Sequence, residues 1–274
     1  MVFNAMDESF NRWGRARWMS PRSFQYACGI SGILSAIFFG GAFVVAGFIP
    51  PPRAHWDAER TVQFYRDHET RIHAGSAILV ISGMWYLPLT AAMSAQMRRI
   101  PNLHYVVPAL QLASGAAGIF TWMMPGIILS ATAYRLDRPV EITQALNELF
   151  WLSALMPWPT FLIQNWAYSY AVIVDTRPKP LFPKWIAIVN IISPVLFTPP
   201  IAMHTIHSGA FSWAGGVSFW MVGIVFLIQL VCESFCVMRA VSNESEIGEM
   251  IIDMFPTTMP QDSPSTKSAI PNSV

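Results

Sequence analysis

Long apolar runs separated by short charged segments dominate the chain. Five windows contain no Asp, Glu, Lys or Arg, and the shortest of them has 26 residues. An α-helix needs about 20 residues to cross the ~30 Å hydrocarbon core of a bilayer. Four windows therefore predict one crossing each. The fifth, 48 residues between Lys184 and Glu233, predicts two crossings joined by the polar segment 204–216.

The pattern predicts an all-α fold, a polytopic transmembrane helical bundle of about six spans. The apolar runs are continuous rather than alternating, which excludes the period-two pattern of a membrane β-barrel. The spans form a transmembrane domain over residues 26–240, between an N-terminal segment 1–25 and a largely disordered tail 241–274. The predicted spans are residues 26–49, 73–97, 105–133, 147–174, 185–204 and 212–237.

The composition supports a membrane environment and excludes a partner, such as nucleic acid, that is attracted by the overall charge of the protein. Hydrophobic residues make up 53% of the chain and charged residues 12%, against roughly 25% charged in a soluble domain. The formal net charge is +1, so no overall field attracts nucleic acid. The partners we expect are the lipid bilayer, a hydrophobic small molecule and another membrane protein.

The distribution of Lys and Arg predicts the orientation. The N-terminal segment, the second and fourth loops and the residues after the last predicted span carry eleven of these residues, and the other three loops carry six. The side richer in Lys and Arg is usually cytoplasmic. We therefore expect both termini in the cytoplasm and the protein in the plasma membrane.

The first outer loop, residues 50–72, predicts a short amphipathic helix. Asp57 is a suitable N-cap for this helix. Val62, Tyr65 and Ile72 fall on its apolar face, which we expect to lie on the membrane surface.

Polar and aromatic residues near the middle of the spans are candidates for ligand binding. Pockets for apolar ligands combine apolar walls with a few directed polar groups. Hydrogen bonds between helices and plain aromatic packing are the alternative interpretation. The candidates are Trp85, Trp122, Trp158, Gln164, Asn165 and Trp166. Glu233 is an acidic residue within a predicted span, and we expect it to reach water near the cytoplasmic end of its helix.

Histidines concentrate on the predicted outer side and suggest a metal or haem site. His204 and His207 have a spacing that can ligate a metal, and His68 and His73 can approach them from the facing loop. Imidazole is a common ligand of zinc, copper and haem iron. The alternative is that these are ordinary histidines of the membrane interface.

Five segments together resemble a family of uncharacterised multi-pass membrane proteins seen mainly in actinobacteria and other bacteria. The resemblance covers about residues 30–240 and implies the helical membrane architecture, without a catalytic residue. The segments are ERTVQFYRDHETRIHAG (59–75), MSAQMRRI (93–100), YRLDRPVEITQALNELFWL (134–152), LIQNWAYSYAVIVD (162–175) and FPKWIAIVN (182–190).

Three functional hypotheses follow. The first is a protein that binds or passes a hydrophobic small molecule, as an accessory to an enzyme acting on lipids, sterols or hydrocarbons. The second is a membrane-embedded enzyme with a metal or haem held by histidines on the outer face. The third is a structural subunit of a membrane complex. The kinked, aromatic and nearly uncharged spans favour the first.

Overall fold

The computed structural model describes residues 2–14 and 16–254, which form ten α-helices and no β-strand. A 3-10 turn over Pro199–Ala202 follows the ninth helix, and a π-helical segment over Gly216–Met221 precedes the tenth. The helices are α1 Val2–Gly14, α2 Pro21–Val45, α3 Ala58–Asp67, α4 Glu69–Met97, α5 Val106–Gly118, α6 Phe120–Ala133, α7 Val140–Leu155, α8 Trp158–Val174, α9 Trp185–Leu196 and α10 Val222–Met254.

Five helical stretches of the described chain are long and apolar enough to cross a membrane. The prediction of an all-α protein with membrane-spanning helices is therefore confirmed at this level. The stretches are Pro21–Val45, Glu69–Met97, Val106–Ala133, Trp185–Ala202 and Gly216–Asn243.

The predicted span 147–174 is divided into two helices of 16 and 17 residues, α7 and α8. The division falls at Met156 and Pro157. Pro157 leaves the helical region, with ψ 23°, and a proline cannot donate a hydrogen bond to the preceding turn. Each helix alone is shorter than a crossing requires.

The helices pack in a ring that follows chain order. α2 packs on α4, α4 on α5 and α6, α8 on α9, α9 on α10, and α10 on α2 and α4. In addition α6 packs on α7 and α5 packs on α8. The α7–α8 pair therefore runs antiparallel to the α5–α6 pair along the length of both.

The predicted amphipathic helix is confirmed as α3, but its apolar face packs on protein. Asp57 is the N-cap, and its side chain accepts a hydrogen bond of 2.8 Å from the backbone N–H of Arg60. Val62 and Tyr65 are buried against α7, and the Tyr65 hydroxyl donates to Asn147 Oδ1 at 3.0 Å. A buried phenol needs such a partner, so this face turns to α7 rather than to the membrane surface.

Helices are present at both ends of the described chain. The N-terminal segment contains α1, and α10 continues to Met254, inside the tail expected to begin at residue 241. The remainder of that tail, 255–274, lies outside the described residues.

Small residues allow α2 and α4 to approach closely. A Cβ atom on Gly75 of α4 would lie 2.7 Å from the carbonyl oxygen of Ala42 and 2.9 Å from the backbone nitrogen of Ala46. Both are backbone atoms of the α2 end, so they cannot move aside as a side chain can. Such contacts through small residues are a main source of helix association in membranes.

We predict that Gly75→Ala destabilises the bundle by about 1–3 kcal/mol, because the methyl group forces α2 and α4 apart. Gly41→Ala is the matched control, since a Cβ atom at Gly41 meets no atom within 4 Å. Thermal unfolding in detergent should give a lower melting temperature for Gly75→Ala and an unchanged or higher one for Gly41→Ala. Equal shifts would contradict the close approach.

Candidate functional site

A polar cavity of about 320 Å³ opens between α7, the loop after α2 and the loop between α9 and α10. Gln144, Glu148 and Leu152 of α7 line one wall because residues four apart share a helix face. The other wall is formed by the loops. The lining residues of the loops are Ala54, His55, Trp56, Met203, His204, His207 and Trp213.

Trp213 fixes the position of the two loops that line this cavity. Its indole N–H donates to the carbonyl oxygen of Pro52 at 2.9 Å. Its ring also stacks on the buried Trp151 of α7, with 6.2 Å between ring centroids and 3° between planes. The segments 50–56 and 203–213, which are far apart in the sequence, are thereby held together over α7.

Four titratable side chains line the polar cavity: His55, His204, His207 and Glu148. The Nδ1 atom of His204 lies 2.6 Å from the carbonyl oxygen of Ile201. A carbonyl oxygen only accepts, so Nδ1 carries the hydrogen and Nε2 is free to accept or to bind. The cavity therefore offers imidazole nitrogens, one carboxylate and the Gln144 amide to a polar group.

The four histidines predicted as metal ligands do not come together. His204 and His207 line the polar cavity, whereas His68 stacks on Phe64 at 4.4 Å and holds its Nδ1 2.9 Å from the Phe64 carbonyl oxygen. His73 lies 3.8 Å from Glu69 on its own helix. Within the described residues, no three His, Cys, Asp or Glu side chains are placed to hold a metal ion.

Two residues that line this cavity, His55 and Glu148, are not among the site residues predicted from the sequence. His55 belongs to the same outer loop as His68, so its side of the membrane was evident from the pattern. Glu148 lies four residues after Gln144 on α7. That spacing was the signal for a shared face.

An apolar crevice of about 50 Å³ lies next to the polar cavity and deeper in the bundle. Its walls come from α2, α6, α7, α8, α10 and the residue that follows α9. The lining residues are Phe39, Thr121, Ala154, Leu155, Trp158, Phe161, Phe197, Val222, Gly223 and Phe226.

The polar cavity and the apolar crevice are stacked along α7. Leu152 lines the cavity and Leu155 lines the crevice. These residues are three apart, which corresponds to about 4.5 Å along the helix axis. A polar compartment is thus followed, within one helical turn, by an apolar one.

The four candidate tryptophans have different surroundings. Trp158 lines the crevice, and the fully buried Trp122 packs on Phe161 and Phe226 of its wall, both at 5.6 Å between ring centroids. Trp85 is half-buried and stacks on Phe38. Trp166 is 46% exposed on the outside of α8.

The two candidate amides are buried and do not line the crevice. Gln164 accepts a hydrogen bond from the Tyr86 hydroxyl and donates to Thr90 Oγ1 at 3.1 Å. Gln111 donates to the same Thr90 oxygen at 2.9 Å. Asn165 is also buried, and its Nδ2 has no hydrogen-bond partner in the structure. The Gln164 contacts are hydrogen bonds between helices.

A separate ion pair closes the loop between α8 and α9, next to a pocket of about 190 Å³. Asp175 is 2% exposed, and its carboxylate accepts hydrogen bonds of 2.7 Å from Arg177 Nε and 2.8 Å from the Leu181 N–H. Burial alone would raise the pKa of Asp175. The hydrogen bonds and the charge of Arg177 outweigh burial and hold this pKa below its ordinary value.

No protein-family model, curated protein or solved structure matches this chain. The functional assignment therefore depends on the geometry of the cavity and the crevice.

We predict that Asp175→Asn lowers the stability at neutral pH by about 1–3 kcal/mol, because the variant loses charge-assisted hydrogen bonds. A lowered pKa contributes stability above the ordinary value of 3.8, and this stability is lost as the pH falls through the folded value. The difference in melting temperature between wild type and variant should therefore shrink in acid. The exposed Asp137→Asn is the control, and a pH-independent difference for Asp175→Asn would contradict the prediction.

Proposed function

We propose that the chain crosses the plasma membrane six times, with both termini in the cytoplasm. The sixth crossing is the α7–α8 pair, which lies alongside the membrane-long α5–α6 pair from end to end. A proline break within a crossing is tolerated where neighbouring helices cover the freed backbone groups. The excess of Lys and Arg in the N-terminal segment, the second and fourth loops and the residues after the last predicted span supports the orientation.

In this membrane protein, the ligand is a hydrophobic small molecule with one polar end. The polar end occupies the outer cavity, and the apolar chain occupies the crevice below it. The observation that carries this proposal is the stacking of the two compartments along α7, one turn apart between Leu152 and Leu155.

The chemistry of the two compartments fits the two ends of such an amphiphile. In the outer cavity, His55, His204 and His207 offer imidazole nitrogens, and Gln144 and Glu148 offer further hydrogen-bonding groups. In the crevice, half of the lining residues are aromatic, and each CH₂ group transferred from water into such a site contributes about 0.8 kcal/mol.

A histidine-ligated metal on the outer face is the second candidate function. One observation favours it, namely that three histidines and Glu148 line one cavity. The spacing of these side chains in the described part of the chain does not form a metal-binding group, so we rank this candidate below the amphiphile.

Filling the crevice tests the proposal. Gly223 lines the crevice, and a Cβ atom on it meets no atom within 4 Å. Gly223→Leu should therefore occupy the crevice without disturbing the helices. We predict that the variant binds pyrene-labelled dodecanoic acid about tenfold more weakly, the equivalent of roughly two buried CH₂ groups. The measurement is energy transfer from tryptophan to pyrene with the protein in nanodiscs.

Gly41→Leu is the matched control, because a Cβ atom at Gly41 also has open space and Gly41 does not line the crevice. It should bind the probe with wild-type affinity. Unsaturable binding to the wild type, or equal affinities for the wild type and Gly223→Leu, would reject the amphiphile proposal.

A further inference from the structure

Glu233 is a buried carboxyl group within a membrane-spanning stretch. It is 3% exposed and belongs to the stretch Gly216–Asn243. It lies about 25 Å along the helix from Gly216 and about 15 Å from Asn243. The expectation that it reaches water at the helix end is wrong, because the side chain turns into the bundle.

The hydrogen-bond partners of Glu233 are neutral amides. Gln229 Nε2 donates to Glu233 Oε1 at 2.7 Å and lies 3.3 Å from Asn190 Oδ1 of α9. The Asn190 Nδ2 group donates to the carbonyl oxygen of Ile186 at 3.0 Å. The structure therefore links the carboxyl group of α10 to α9 through a chain of amides.

Among the described residues, no Lys, Arg or His forms an ion pair with Glu233. The next basic residue along α10, Arg239, lies about 9 Å further toward the helix end. A charged carboxylate within a bilayer normally pairs with a cation or lines a water-filled space. Leaving it charged and unpaired costs several kcal/mol.

Two buried polar atoms around Glu233 lack hydrogen-bond partners, Gln229 Oε1 and the Tyr168 hydroxyl of α8. An ionised carboxylate only accepts hydrogen bonds, so it cannot serve an unpaired amide oxygen. A protonated carboxyl group has one O–H donor in addition to its acceptor capacity. A proton on Glu233 thus adds a donor for the unpaired amide oxygen of Gln229.

The other titratable groups facing Glu233 are weak acids. They are Tyr86 from α4, Tyr168 from α8, and Cys232 and Cys236 from α10 itself. At neutral pH tyrosine and cysteine are ordinarily uncharged. On α2, Gly32 packs against Ser234, the residue next to Glu233, and it carries no charge. These neighbours therefore supply no counter-charge for a carboxylate.

We propose that Glu233, together with Gln229 and Asn190, forms a proton-binding site in the cytoplasmic half of the bundle. In this site the bound proton neutralises the carboxyl group and provides a hydrogen-bond donor to the amide oxygen of Gln229 on the same helix. The site lies apart from the polar cavity and the crevice, so it is independent of the amphiphile proposal.

Infrared spectroscopy of the full-length protein in nanodiscs tests the site. At pH 7 the wild type should have the carbonyl band of a neutral carboxylic acid, and ¹³C-labelling of glutamate should shift that band. The band should be lost in Glu233→Gln and retained in Glu141→Gln, whose side chain is exposed. Because Gln is a neutral isostere, Glu233→Gln should keep the wild-type melting temperature.

Two results would overturn the proposal. The first is a folded wild-type protein without a glutamate-derived neutral acid band at pH 7, which means that Glu233 is ionised. The second is a melting temperature that rises with NaCl but not with choline chloride in the wild type and is insensitive in Glu233→Gln, which assigns the site to a metal cation. The ¹³C shift is read on the wild type, so the test holds even when a variant fails to fold.

Discussion

Backbone hydrogen bonding in hydrocarbon is the constraint that shapes this bundle. Each N–H and C=O group inside a bilayer needs a partner within the protein, so a helix can break only where other helices cover the break. The helices break between α7 and α8 and again between α9 and α10. Residues at these breaks, Leu155, Trp158, Phe197 and Val222, line the apolar crevice. The crevice is thus the space that interrupted helices leave between their covering neighbours.

Charge exclusion explains why much of the architecture could be predicted from the sequence. Windows without charged residues located five membrane-long stretches, because a charge in hydrocarbon is costly in any fold. The Asp57 cap was predictable because it acts within one helical turn. The break in the span 147–174 was not, since a proline allows either a kinked helix or two helices, and tertiary packing decides between them.

The site was only partly predictable, because sequence position fixes the depth of a residue better than its direction. Gln164, Asn165 and Trp166 are at similar depth, yet successive residues point about 100° apart, and Trp166 faces outward. The candidate histidines lie in different places for another reason. His68 contacts Phe64 within its own segment, whereas His55 reaches the polar cavity through loops held by Trp213.

Assigning the polar cavity to the outer side and Glu233 to the cytoplasmic half assumes that α7 and α8 form one crossing. Single cysteines at Asp137, between α6 and α7, and at Lys179, between α8 and α9, test this directly with a membrane-impermeant maleimide on intact cells. In a background without the three native cysteines, Asp137→Cys should be labelled from outside, and Lys179→Cys only after permeabilisation. Labelling of both from the same side would contradict the six-crossing arrangement.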